Sequence, residues 1–74
     1  MNDEASKILR QARFARGWNE NTMADEVGCS HITIAKIEMT EKKREERFAT
    51  PYIELNTIKR YARLLRINIV LNNR

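Results

Sequence analysis

The chain has 74 residues, which is enough for a single domain. A hydrophobic fraction of 42%, with two Gly and one Pro, is typical of a compact helical protein and argues against a disordered tail. The net charge of +4 at pH 7 favours an anionic partner, of which nucleic acid is the commonest. An acidic protein or an anionic lipid surface fits this charge equally well.

The chain has few residues that could act as catalytic groups or metal ligands. Cys29 has no second cysteine to pair with and no companion at metal-ligand spacing, so we expect neither a disulfide nor a metal or other cofactor. With one His, one Cys and no carboxylate cluster, no catalytic constellation can be assembled, and we expect no enzyme activity. The N-terminus lacks an apolar signal region and no apolar run is long enough to span a bilayer, which predicts a cytoplasmic protein without a membrane partner.

A first helix is predicted from Asp3 to Arg16. Asn2 or Asp3 is suited to cap its start, and Gly17 stands where a helix C-terminal glycine belongs. Trp18, after the glycine, is expected to fold back onto the core. Apolar residues recur at helical spacing and predict the inner face: Ala5, Ile8, Leu9, Ala12 and Ala15.

Two short helices follow. Asn19 is a suitable N-cap for a helix over residues 20–27, and Gly28 ends it. Ser30 then caps a third helix that begins at His31. Two short helices joined by a turn that contains glycine are the outline of a helix-turn-helix.

The second half of the chain is less regular. Residues 39–49 contain strong helix formers, and they either prolong the third helix or form a charged, mobile loop. Thr50 and Pro51 predict the start of a fourth helix that runs to about Arg66, with Pro at its first position. Residues 67–71 are rich in β-branched side chains and predict one strand. Because the chain offers no second strand, we expect this one to pair with its copy in a dimer.

Positions scattered from the second helix to the fourth follow one family pattern. They are Ala24, Gly28, Ser30, Ile34, Ile37, Glu38, Pro51, Thr57, Ile58, Ala62 and Leu65. In these residues the chain resembles the Xre-type family of phage repressors and bacterial antitoxins, apart from residues 39–50, a stretch longer than is usual there. The resemblance implies an all-α, lambda-repressor-like bundle with a helix-turn-helix DNA-binding domain over residues 1–66. Residues 67–74 would then be the dimerisation strand and tail.

The resemblance also implies which residues bind DNA. The outward side chains at the start of the third helix would contact base edges in the major groove: His31, Ile32, Ala35 and Lys36. Short hydrogen-bonding side chains beside helix N-termini would contact the DNA backbone: Asn19, Ser30 and Thr33. Glu20 stands where relatives carry a Gln that touches the backbone, and its charge would repel phosphate, so we leave it out. Outside the motif, His31 and Lys36 would be ordinary surface residues, and Ile32 a core or dimer contact.

Two further sets of contacts are expected. In the family, the positions of Arg13 and Glu38 form a partly buried ion pair that joins the first helix to the third. The expected dimer interface consists of Ile67, Ile69, Val70 and Leu71. The implied function is a sequence-specific transcriptional repressor or autoregulator that binds a palindromic operator as a dimer. The alternative is an antitoxin of the HigA or HipB type, which neutralises a toxin protein by binding it, because residues 66–71 resemble the ending of such antitoxins.

Overall fold

Five α-helices make up the part of the chain that the computed structural model describes, residues 1–68. In chain order they are α1 (Asp3–Arg16), α2 (Glu20–Val27), α3 (His31–Glu38), α4 (Glu41–Arg47) and α5 (Leu55–Leu64). Residues 1–68 contain no strand. The predicted all-α class is therefore confirmed, and the observed bounds of α1 and α2 and the start of α3 agree with those expected from the sequence.

Local side-chain and glycine signals set most helix ends. Four side chains each accept a hydrogen bond from the backbone N–H three residues ahead, and so cap α1 to α4: Asn2, Asn19, Ser30 and Thr40. Gly28 ends α2 with a φ of 85°, in the left-handed region that other residues enter only with strain. The chain can therefore turn sharply after α2 and begin α3 three residues later.

The core lies where α2 meets α3 and α5, with α1 packed across α3. Its buried members come from four of the helices: Leu9, Met23, Ala24, Val27, Ile34, Ile37, Ile58, Tyr61 and Ala62. Trp18 packs against this cluster as expected, and so does the half-buried Cys29. The α2–α3 pair is thereby held as one unit.

The inner face of α1 differs from the prediction. Ile8 is 37% exposed and Ala15 is also exposed, whereas Ser6 and Arg13 are buried. The helix is rotated because Arg13 turns inward to meet a carboxylate of α3, and a face centred on Leu9 and Arg13 turns Ile8 and Ala15 outward. Apolar spacing alone could not predict this, since it treats arginine as a surface residue.

Neither alternative for residues 39–49 is correct, because a separate helix, α4, forms there. Met39 leaves the helical conformation, with φ −90° and ψ 165°, and Thr40 caps the new helix. The buried Arg44 side chain then donates hydrogen bonds to the carbonyls of Lys36 at 2.8 Å and Met39 at 3.0 Å. These bonds satisfy carbonyl groups at the end of α3 and hold α4 against it.

The predicted helix start at Thr50 and Pro51 is wrong, since α5 begins at Leu55. Between Pro51 and Leu55 burial alternates: Pro51, Ile53 and Leu55 are partly buried and the residues between them are exposed. A period of two is the pattern of an extended chain, whereas a helix from Pro51 would turn Ile53 away from the core. Burial of Ile53 therefore outweighs the local preference of proline for a helix start.

The predicted strand falls largely outside the described residues. Ile67 and Asn68 adopt no strand, and Ile69, Val70 and Leu71 lie beyond the described part. The Ile67 N–H donates to the carbonyl of Ala62 at 2.8 Å, which closes the end of α5. Ile67, expected in a dimer interface, thus packs in part against the core of its own chain.

Candidate functional site

The first turn of α3 presents an open face. His31 and Ile32 are exposed, Ile32 at 49% of its surface, and Ala35 is half-buried one turn further on. The spacing of His31 and Ala35 places them one above the other on the helix, with Ile32 beside them. The structure thus places three of the four residues predicted to contact bases on one outward surface.

Lys36 is held elsewhere. Its Nζ donates a hydrogen bond to the carbonyl of Thr50 at 2.9 Å and lies 4.8 Å from the ring centre of Phe48, a cation–π distance. The extended chain after α4 therefore covers this side of α3. The Lys36 ammonium is thus bound by residues of the segment after α4, whose position no local sequence signal indicates.

The three residues predicted to contact the DNA backbone sit at helix N-termini. Asn19 Oδ1 accepts the Thr22 N–H at 2.8 Å, which leaves the amide NH₂ of the exposed Asn19 available. Ser30 Oγ accepts the Thr33 N–H at 3.2 Å, and the two hydroxyl oxygens are 3.1 Å apart. That shared bond uses only one of the hydroxyl protons, so the pair keeps a donor for an acceptor outside the chain.

A groove of about 560 Å³ lies beside His31, between α1 and the start of α2. Arg10 and Phe14 of α1 line it together with Asn19 and Glu20. Phe14 is 55% exposed, with the guanidinium of Arg10 5.0 Å from its ring centre. The sequence analysis missed Arg10 and Phe14. Their spacing of four residues on a helix was the available signal, because it places them side by side.

A buried polar network joins three helices behind the open face. Arg13 donates from Nε to Glu38 Oε2 at 2.7 Å, from Nη2 to Glu38 Oε1 at 2.8 Å, and from Nη1 to the Trp18 carbonyl at 3.0 Å. The hydroxyl of Tyr61 donates to Glu38 Oε2 and lies 3.1 Å from the Leu9 carbonyl oxygen. Arg13, Glu38 and Tyr61 belong to α1, α3 and α5, so the network fixes α3 against both neighbours.

The protonation states of this network follow from its contacts. The hydrogen bond to Glu38 raises the pKa of the Arg13 guanidinium, against the opposing effect of burial. Burial first, and then the hydrogen bond to Glu38, raises the pKa of the Tyr61 hydroxyl far above its usual range. Arg13 is therefore charged and Tyr61 neutral over the whole physiological range. The negative charge of Glu20 also raises the pKa of Arg13, after the contributions of Glu38 and Tyr61.

Positive charge is concentrated in α5 and the turn after it. Residues 1–54 contain nine Lys or Arg and all ten Asp and Glu of the chain. Four exposed cations follow with no acidic residue among them, and we name them the α5 basic face: Lys59, Arg60, Arg63 and Arg66. Arg60 Nε donates to the Val27 carbonyl, at the end of α2, at 3.0 Å. The sequence analysis counted these charges only in the net total.

Residues 1–68 contain neither a cluster of metal ligands nor a candidate membrane-spanning helix. No group of three or more His, Cys, Asp or Glu side chains there is arranged to hold a metal ion. No helix in this part of the chain is both long and apolar enough to cross a membrane. Burial raises the pKa of the Cys29 thiol, and the positive charge of Arg60, whose guanidinium binds the nearby Val27 carbonyl, partly offsets that effect.

Comparison with protein-family models, curated proteins and solved structures finds no match to this chain. The likeness to Xre-type proteins is thus limited to the pattern of individual residues described above. Function has to be inferred from the chain's own residues and their geometry.

Proposed function

We propose that this protein is a sequence-specific DNA-binding regulator in which α2 and α3 form a helix-turn-helix. In this proposal α3 enters the major groove of an operator, and the protein acts as a homodimer. The observation that carries the proposal is the open face at the start of α3, where His31 and Ile32 are exposed and the half-buried Ala35 lies one turn further on, on a helix anchored along its inner side.

The anchoring of α3 supports this role. Ser30 caps its start, Glu38 is bound to Arg13 near its end, and Arg44 occupies the carbonyls of its last turn. A reading element gains specificity when the scaffold fixes its orientation before binding, because less motion is lost in the complex. The outward side chains of α3 thus start from a defined position.

The size and chemistry of α3 fit a major groove. An α-helix with its side chains is about 10–12 Å in diameter, so α3 fits a B-DNA major groove, which is about 12 Å wide. His31 has ring nitrogens that donate to or accept from a purine edge, and Ile32 is suited to a thymine methyl group. Ala35 is small, which allows the helix to approach closely. We leave Lys36 out of the proposed base readers because its ammonium binds the Thr50 carbonyl.

We propose a dimer because a palindromic operator has two half-sites, each of which needs a recognition helix. A single α3 offers few side chains for base contacts. Helix-turn-helix proteins gain specificity by placing two recognition helices about 34 Å apart on a palindrome. The expected interface at residues 69–71 lies outside the described part of the chain and stays a prediction. The antitoxin alternative, which depends on the same residues, also stays a prediction.

The decisive experiment selects duplex DNA from a random pool with the purified protein. Its affinity for the selected site is then measured by fluorescence anisotropy, beside the variants His31→Ala and Ile32→Ala. Each substitution should cost roughly 1–3 kcal/mol on the selected site and relax the preference at particular base pairs. Glu45→Ala, an exposed change on α4, is the control and should leave both unchanged. Failure to enrich any sequence, with no binding at low salt, would refute the proposal.

A further inference from the structure

We propose that the α5 basic face is a phosphate-binding surface for duplex DNA, next to the contact made by α3. The inference builds on the proposed function and adds a second helix to the DNA contact. It assigns most of the electrostatic affinity to α5, and leaves α3 to read the bases.

The first support is the absence of neutralising charge. None of the four cations forms an ion pair with a carboxylate of residues 1–68, and the sequence of residues 69–74 contains no Asp or Glu. Lys59 and Arg63 are four residues apart, and Arg60 and Arg63 are three apart. Like charges at these spacings destabilise a helix by about 0.2–0.5 kcal/mol per pair. An anionic partner would remove this repulsion.

The C-terminal position of the cations explains only part of the pattern. Positive side chains in the last turn of a helix are favoured by its dipole, which accounts for Arg63, and Arg66 follows just beyond the helix end. Lys59 and Arg60 lie in the middle of α5, beyond the reach of that effect. The highly charged α4 shows the usual alternative, since its Lys and Arg residues alternate with Glu41, Glu45 and Glu46.

The second support is position. Arg60 binds the Val27 carbonyl at the end of α2, and only Gly28 and Cys29 separate Val27 from the Ser30 cap of α3. The basic face therefore begins beside the turn that leads into α3. Arg60 uses its Nε for this bond and keeps its Nη groups, which suit a phosphate oxygen.

The third support is that α3 has no unoccupied cation for a phosphate group. DNA-binding proteins draw much of their affinity from cations that neutralise phosphates. The Lys36 ammonium is occupied by Thr50, Glu38 is paired with Arg13, and the backbone candidates beside α3 carry no charge. The cations that a phosphate backbone requires must therefore come from other elements. Arg10 of α1 lies beside His31, and α5 adds a solvent face that is free of acidic residues.

The surroundings favour DNA over a lipid surface or a protein partner. The large exposed hydrophobic side chains of residues 1–68 are Ile8, Phe14, Ile32 and Tyr52, and none lies on α5. Membrane-surface helices insert an apolar face, and protein interfaces centre on buried aromatic or aliphatic anchors. A face that offers cations alone matches a regular array of phosphates.

The test compares two double variants that remove equal charge. Lys59→Gln with Arg63→Gln removes two cations from the α5 basic face, and Lys42→Gln with Lys43→Gln removes two from α4. All four residues are exposed, and circular dichroism checks that both variants remain folded. Affinities for the selected operator and for an unrelated duplex are measured by anisotropy at several salt concentrations, and binding to phosphatidylserine vesicles is measured in parallel.

We expect the α5 variant to bind both duplexes more weakly by a similar factor and to keep its preference for the operator. Its plot of log affinity against log salt should be shallower by about 0.9 per lost phosphate contact, or about 1.8 in total. The α4 variant should keep most of the wild-type slope.

Three results would overturn the inference while wild-type protein still binds DNA. They are an unchanged slope in the α5 variant, an equal loss of slope in the α4 variant, and a loss confined to vesicle binding. If the wild-type protein binds no DNA even at low salt, the proposed function fails and the inference with it.

Discussion

Removal of the Glu38 carboxylate should destabilise the protein more than any surface substitution. Glu38 and Arg13 have side chains only 4% and 5% exposed, so Glu38→Ala leaves a buried guanidinium without its partner. Breaking a buried ion pair in this way costs about 3–5 kcal/mol. A chain of 74 residues has a total stability of about 4–11 kcal/mol, at 0.05–0.15 kcal/mol per residue. We therefore expect the variant to lose a large part of its stability.

The measurement is urea denaturation followed by helical circular dichroism, with Glu45→Ala as the control. Glu45 is exposed on α4 and makes no side-chain hydrogen bond within residues 1–68, so its loss should change the free energy of unfolding by less than about 0.5 kcal/mol. Equal small effects of the two substitutions would refute the reasoning, because they would mean that water reaches Glu38 and Arg13 in solution.

A double replacement distinguishes the loss of the Arg13–Glu38 ion pair from the cost of leaving the buried Arg13 charge without a partner. Arg13→Met with Glu38→Leu removes both charges and keeps apolar volume, and such exchanges are often neutral or stabilising. The Tyr61 hydroxyl can then donate to the Leu9 carbonyl, 3.1 Å away, although the Trp18 carbonyl loses its donor. We expect the double variant to be more stable than Glu38→Ala. A double variant that loses the sum of both single effects would show that the stranded charge is not the cause.

Two further predictions concern α5 and the turn before α3. The pKa of Tyr61 is raised in the folded state, so its contribution to stability is complete below pH about 10 and is lost as the pH rises above that value. The test uses the variant Tyr52→Phe, in which Tyr61 is the remaining tyrosine. As the pH rises, the absorbance of ionised tyrosine should appear together with the loss of the helical circular dichroism signal. Ionisation of Tyr61 while the helices persist would contradict this prediction. Gly28→Ala should cost about 1–2 kcal/mol in denaturant unfolding through its φ of 85° alone, since nothing lies within 4 Å of the added Cβ; a much larger loss would point to a steric clash.

The elements that the sequence predicted well are those whose ends are marked by adjacent residues. Asn19 and Ser30 act through a hydrogen bond to a backbone N–H three residues away, and Gly28 acts through its own φ. Such signals depend little on the rest of the molecule. This is why the bounds of α2 and the start of α3 could be derived before the fold was known.

The errors occur where tertiary contacts outweigh a local preference. Pro51 favours a helix start, but the chain stays extended because Ile53 reaches the core in that conformation. Apolar spacing on α1 predicts that Arg13 lies at the surface, but its guanidinium turns inward to bind Glu38. In both cases the deciding contact lies in another part of the fold, which no local pattern encodes.

In the proposed DNA complex, different parts of this chain would read the bases and bind the phosphates. The open turn of α3 contributes one imidazole and apolar surface, so substitutions there should change which base pairs are preferred more than they change the dependence on salt. The α5 basic face contributes charge without base-reading groups, so substitutions there should change the salt dependence and spare the preference. Because Glu38 and Tyr61 join α3 to α5 through the buried network, the two surfaces are held in one orientation to each other. In the proposed complex, this shared rigidity would let a small domain with few base-contacting side chains combine non-specific affinity with a defined register on DNA.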